Sequence, residues 1–248
     1  MFSALQGAGG HGRRVFPRIL LAAVVLLPLL PPATSAQAPA AARAAQPDPL
    51  VTTLVAQART TGQPPAFERT IVATRNGETT TRVERFDPAR PAGERWALVS
   101  INGAPPSAGE ARSFARQMAE TTTPGYWRMA LLLGQGATRA GGTETEPVLV
   151  VRPLPDGVLD GQARAFARQL RAEVRVATAS PAFIRETRVL ADGPLRRGPA
   201  RVEDFEAMSR YAPGPGGAPR LEAQSTRMTI RVLGQEIRVA TRTSYRYL

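Results

Sequence analysis

The chain has 248 residues, one histidine, no cysteine and 32 basic residues, all of them arginine, for a formal net charge of +12. The histidine, His11, precedes the part that reads as a folded domain, which is left without His, Cys or Lys. That excludes a Ser-His-Asp or Cys-His centre, a lysine Schiff base, the usual Cys/His zinc site and any disulfide. No cofactor is expected.

The first 38 residues have the parts of an export signal. Arg13, Arg14 and Arg18 precede an apolar run from Ile19 to Leu30, and Ala36-Gln37-Ala38 offers a small-residue cleavage site. The run is shorter than the about 20 apolar residues of a spanning helix, so no stable transmembrane anchor is expected after processing. "RRVFPR" resembles a twin-arginine export motif. No Cys follows for lipid attachment. Losing the three signal arginines lowers the net charge to +9, because no Asp or Glu precedes Asp48. The processed protein is expected in the periplasm or outside the cell, where a basic surface meets anionic envelope components. Its arginines are dispersed among Glu and Thr, without the patch of stacking aromatics that nucleic acid requires, so no nucleic acid partner is expected.

Residues 39–49 are rich in Ala and Pro and read as a linker. "LVTTLVAQART" puts Leu50, Leu54 and Ala58 at helical spacing, with Val51 and Val55 beside them. "FERTIVATRNGETTTRVERF" is two strands joined at Asn76-Gly77, a dipeptide suited to a tight hairpin. "RWALVSING" is a third strand, stopped by Pro105 and Pro106. Ser107 to Glu110 spells a capping box, followed by Ala111, Phe114, Ala115 and Met118 on one helical face. "GYWRMALLLG" reads as a short helix covering an apolar surface, "PVLVVRPLP" as a strand, and "GQARAFARQL" as a helix with Ala163, Phe166, Ala167 and Leu170 on one side. From Arg171 onward the pattern is almost wholly β.

The last two runs alternate sharply. Met228, Ile230 and Val232 share one face and Arg227, Thr229 and Arg231 the other; Ile237, Val239, Tyr245 and Tyr247 likewise oppose Arg238, Arg242 and Arg246. A slip of one residue would exchange the faces, so register is strongly specified. With no linker inside residues 50–248, these form one mainly β domain: eight to ten antiparallel strands curved into an incomplete barrel, with an N-terminal helix and two or three inserted helices.

This order of elements, from export signal to tyrosine-rich last strand, resembles the periplasmic lipoprotein carriers of the Lol system and the broader outer-membrane lipoprotein-sorting superfamily. The resemblance covers Leu50 to Leu248 and implies an incomplete barrel around apolar space that accepts acyl chains. It implies that Met228, Ile230, Val232, Ile237, Val239 and Tyr245 line the concave side with Trp96 and Phe183, under a lid carrying Phe114 and Met118. The string "RFDPARPAGERWALVSINGAPPSAGE" also resembles a segment of uncharacterised exported proteobacterial proteins.

The expected function is non-enzymatic binding of an apolar or lipid-like ligand, such as a lipoprotein acyl chain. The alternative is a structural or partner-binding envelope protein whose apolar strand face is simply a filled core. A third reading, a carboxylate-based glycan hydrolase, would draw on Asp156 with Asp160, or on Glu203, Asp204 and Glu206. Trp96, Trp127 and Tyr126 offer a sugar-stacking platform, and "YAPGPGGAP" a long exposed turn or a gate.

Overall fold

Asp48 caps the first helix, accepting a hydrogen bond from the Leu50 amide at 2.8 Å, and Pro49 occupies the first helical position, where a missing N–H costs nothing. The computed structural model describes residues 48–119, 121, 123–159 and 161–248, so the expected signal and nearly all of the expected linker lie outside the described residues. Where the linker was expected to run through Pro49, Asp48 and Pro49 are the cap and first residue of a helix.

Helix α1 spans Pro49–Thr60 and buries Val51, Leu54 and Ala58. The hairpin follows as β1 (Phe67–Arg75) and β2 (Glu78–Phe86), with Asn76 and Gly77 both at positive φ, as a two-residue turn with the twist of its strands requires. Strand β3 (Trp96–Ile101) leads through the two prolines into α2 (Ala108–Met118). The capping box is complete: Ser107 Oγ accepts from the Glu110 amide at 3.3 Å, and Glu110 Oε2 accepts from the Ser107 amide at 2.8 Å. Replacing Ser107 with Ala is expected to cost about 1 kcal/mol, read as a lower urea midpoint with an unchanged slope.

Then come α3 (Arg128–Leu133), β4 (Thr138–Gly142), β5 (Pro147–Val151), β6 (Leu170–Ala177), β7 (Phe183–Ala191), β8 (Leu195–Arg197), β9 (Ala200–Pro213), β10 (Pro219–Val232) and β11 (Gln235–Tyr247). The eleven strands among the described residues exceed the expected eight to ten. Both short additions, β4 and β8, lack an apolar alternation: the first is exposed throughout and ends in two glycines, the second is three residues long. The expected helix at 161–169 is a 3-10 helix, and Leu170 heads β6 instead of closing its face.

All strand pairs are antiparallel, in the order β3-β2-β1-β11-β10-β9-β7-β6-β5-β4, with β8 attached to β9. The sheet does not close; β3 and β4 are its edges. Register shifts at Val83/Glu84, Arg175/Val176, Leu221/Ala223 and Arg227/Thr229 bend it as bulges do. The result is an incomplete barrel.

Two packed cores lie on its inner face. One joins α1 and α3 to β5, β6 and β7, through Leu54, Tyr126, Leu133, Leu149, Val174 and Ile184. The other joins α2 to the first three strands, through Phe67, Phe86, Trp96, Phe114 and Met118. On the outer face arginine and glutamate alternate across strands. Arg188 and Arg227 meet Glu206, Arg201 and Arg231 meet Glu203, and Arg238 meets Glu236. As the alternation predicts, the arginine face meets water.

Candidate functional site

The Asn76-Gly77 turn fixes the pairing of the first hairpin, so Phe67 faces Phe86 and Arg69 faces Glu84. Both phenyl rings are buried and stack with centroids 5.2 Å apart, which commits that face of the hairpin to the interior. Glu84 shares the face and is 0% exposed. A carboxylate there needs cations, and it has two: Arg69 reaches Oε2 through Nε at 2.7 Å and Nη2 at 2.6 Å, while Arg82 Nε lies 2.5 Å from Oε1. The second contact is charge pairing without hydrogen-bond alignment, because neither of its atoms has a geometrically acceptable hydrogen-bond partner. Each guanidinium also lies over an aromatic ring, Arg69 over Trp96 at 4.2 Å and Arg82 over Phe114 at 5.7 Å.

The polar line continues across the sheet. Arg69 faces Tyr245 in register across β1 and β11, and the Tyr245 hydroxyl donates to Gln224 Oε1 at 2.5 Å; Gln224 Nε2 donates to Ser209 Oγ at 3.1 Å. One belt thus crosses β2, β1, β11, β10 and β9 on the inner face. Burial pushes the Tyr245 hydroxyl up from its ordinary range, against the opposing pull of Arg69.

Toward the hairpin tips, the belt gives way to an apolar stretch. Met228 pairs with Val239 and Ile230 with Ile237, with Val232 beyond; all five are half-buried and belong to neither packed core. Ile71 lies directly opposite Arg82 at the belt, and the row of Thr80, Ala73, Thr241 and Thr226 separates it from this stretch, where Val239 faces Arg75. The tip itself is Leu233-Gly234, with Leu233 at φ 49° and 85% exposed.

The residues singled out from the sequence therefore separate into groups. Met228, Ile230, Val232, Ile237 and Val239 lie together on the inner face. Trp96, Phe114 and Met118 are packed with Phe67 and Phe86 in the core under α2. Tyr245 adjoins both cores and carries the belt hydrogen bond. Phe183 stands apart, because strand alternation turns it away from the buried Ile184 beside it. Trp96 and Tyr126 sit in different cores and form no common platform. Tyr126 is 2% exposed; its hydroxyl accepts from the Ile184 amide at 3.0 Å and donates to Gln57 Oε1 at 2.8 Å.

Of the acidic residues weighed for hydrolysis, Glu203, Asp204 and Glu206 line one groove. Glu203 and Glu206 face outward and are ion-paired, Asp204 sits in the β9 bulge at φ 52°, Asp156 is exposed, and Asp160 lies outside the described residues. A groove of about 500 Å³ on the outer side is lined by Arg175, Arg185, Arg188, Arg210, Glu146 and Glu186. "YAPGPGGAP" is the exposed connection from β9 to β10, turning through a short 3-10 helix at Pro215–Gly217.

Sequence reasoning missed Glu84 and its arginines. Counting outward from Asn76-Gly77 would have placed Arg69 opposite Glu84, and the Phe67/Phe86 pair would have turned both inward.

Together these features define an open antiparallel half-barrel with two helix-packed cores, a transverse polar belt and an apolar stretch outside the cores. Among the described residues no helix is long and apolar enough to cross a membrane. Comparison with protein-family models, curated proteins and solved structures returned no match.

Proposed function

We propose that this is an exported, non-enzymatic protein that binds an apolar or lipid-like ligand in the cell envelope, such as an acyl chain, on the inner face of the half-barrel. The observation that carries this reading is the set of Met228, Ile230, Val232, Ile237 and Val239, half-buried on the concave side and outside both cores. Each methylene that an acyl chain buries there contributes about 0.8 kcal/mol. The element order, from helix and hairpin through inserted helices to a long meander, supports the resemblance to the Lol-type carriers. The absence of His, Cys and Lys beyond residue 11 supports a role in binding over one in catalysis.

A second reading, a structural or partner-binding envelope protein with no small ligand, is favoured by the packing of Trp96, Phe114 and Met118 into a filled core. Uptake of a fluorescent fatty acid, together with native mass spectrometry of the protein from its own periplasm, separates the two. The carrier reading expects co-purifying lipid and saturable uptake, with uptake weakened about tenfold or more in Ile230→Glu and Val239→Glu variants that keep the wild-type circular dichroism spectrum. A clean apo mass without uptake would establish the second reading.

A further inference from the structure

The cluster of Arg69, Glu84 and Arg82 carries more positive than negative charge. One fully buried carboxylate is shared by two guanidiniums, and among the described residues no second carboxylate pairs with either. Arg69 is occupied: two of its nitrogens hold Glu84 and it lies over Trp96. Arg82 is not. Its contact with Glu84 is through Nε, it lies over Phe114 on one side only, its side chain is 37% exposed, and among the described residues its terminal nitrogens make no hydrogen bond. A forked guanidinium matches the oxygens of a carboxylate or phosphate, and a partly desolvated site makes such a pairing stronger than it is in water.

Its position adds meaning to the surplus charge. Arg82 faces Ile71 across the hairpin, and Ile71 faces Thr243 on β11. From Thr243 the inner face of β11 runs through Thr241 and Val239 to Ile237, six residues or about 20 Å along the strand. Met228 and Ile230 flank that path on β10. A cation at one end of a half-buried track, apolar at Ile71 and again from Val239 to Ile237 with threonines between, is the arrangement that an anionic amphiphile fits.

Resting on the ligand-binding reading above, we propose that Arg82 takes the anionic headgroup of the ligand, a carboxylate or phosphate ester, while the acyl tail lies along Ile71, Val239, Ile237, Met228 and Ile230. Arg69 acts through Glu84 as a positioning residue. The ligand class is then a singly tailed anionic lipid, in preference to a neutral glyceride, ester or alcohol.

The test compares parinaric acid with its methyl ester by fluorescence titration of the whole chain at about pH 8, where the acid is ionised. The acid is expected to bind about tenfold or more tightly than the ester. Arg82→Gln should bring the acid down to the affinity of the ester without changing the ester, and Arg238→Gln, on the outer face of β11, should change neither. Excess acetate or inorganic phosphate is expected to leave the acid bound; displacement by either would overturn the amphiphile and make this a free-anion site. Equal binding of acid and ester by the wild-type protein overturns the headgroup assignment and leaves the apolar-ligand reading standing. Binding of neither overturns both. If Arg82→Gln fails to fold, the wild-type comparison still decides, and Arg82→Lys, which keeps the charge but loses the fork, is expected to retain part of the preference.

Discussion

Raised through pH 10 and 11, the folded protein is expected to show far less tyrosinate absorbance than four free tyrosines would, and then to release the remaining signal as it unfolds. Tyr126, Tyr211, Tyr245 and Tyr247 are the only tyrosines in the chain, and burial pushes each hydroxyl above its ordinary range, to about 12 for Tyr126 and Tyr247. The unfolded chain loses these protons near pH 10 while the native state keeps them. Between the two values the native state binds more protons, so stability falls as pH rises. Tyr126 alone accounts for a loss on the order of 2–3 kcal/mol across that window, and the other three tyrosines act in the same direction. The measurement is unusually clean, because the sequence has no lysine or cysteine to titrate in the same range. Tyr126→Phe separates two effects. It leaves the Ile184 amide without its acceptor, costing about 1–3 kcal/mol at neutral pH, and it removes one proton from the alkaline dependence, so the deficit narrows above pH 10. Tyrosinate absorbance appearing near pH 10 in a protein that stays folded would contradict the buried placement of these rings.

Much of this architecture follows from local chemistry. Asn76-Gly77, the Ser107-Glu110 box and the alternation of the last two strands each specify a turn, a cap or a register without help from distant residues, and each is present in the structure. The elements that escaped sequence reading depend on partners. β4 is exposed along its whole length and exists because β5 offers it an edge, and β8 because β9 does. The segment at 161–169 has helical spacing but takes the tighter 3-10 form, which propensity does not distinguish.

The site shows the same division. Met228, Ile230, Val232, Ile237 and Val239 announce a shared face by alternation alone. Whether that face is filled or open depends on where the helices dock, and α1, α2 and α3 all pack into the cores instead. Glu84 was obscured for a different reason. In "TRVERF" Val83 is the apolar residue beside it, so a local reading turns Val83 inward and Glu84 to water. Phe86 and its partner Phe67 impose the opposite choice, since two large rings gain more by burial than one valine, and the two arginines make the buried carboxylate tolerable.

Glu84→Ala is accordingly expected to be among the most damaging single substitutions, lowering stability by about 3–5 kcal/mol in urea titration, because it leaves Arg69 largely buried with no counter-charge and brings it into repulsion with Arg82. Glu84→Gln keeps an acceptor for Arg69 and is expected to fall between Ala and the native residue. A loss below about 1 kcal/mol for Glu84→Ala would mean that water reaches the pair, as it does in exposed ion pairs. The instructive variant removes all three charges at once: Arg69→Met, Glu84→Leu and Arg82→Met. Desolvation of three ions then disappears together with their attraction, and stability is expected to return to within about 1–2 kcal/mol of the native protein. A triad kept only to hold β1 and β2 together would be replaceable in this way without consequence for binding. If its surplus cation reads a headgroup, the repacked protein will fold and take up acid and methyl ester alike, having lost the preference but kept the apolar track.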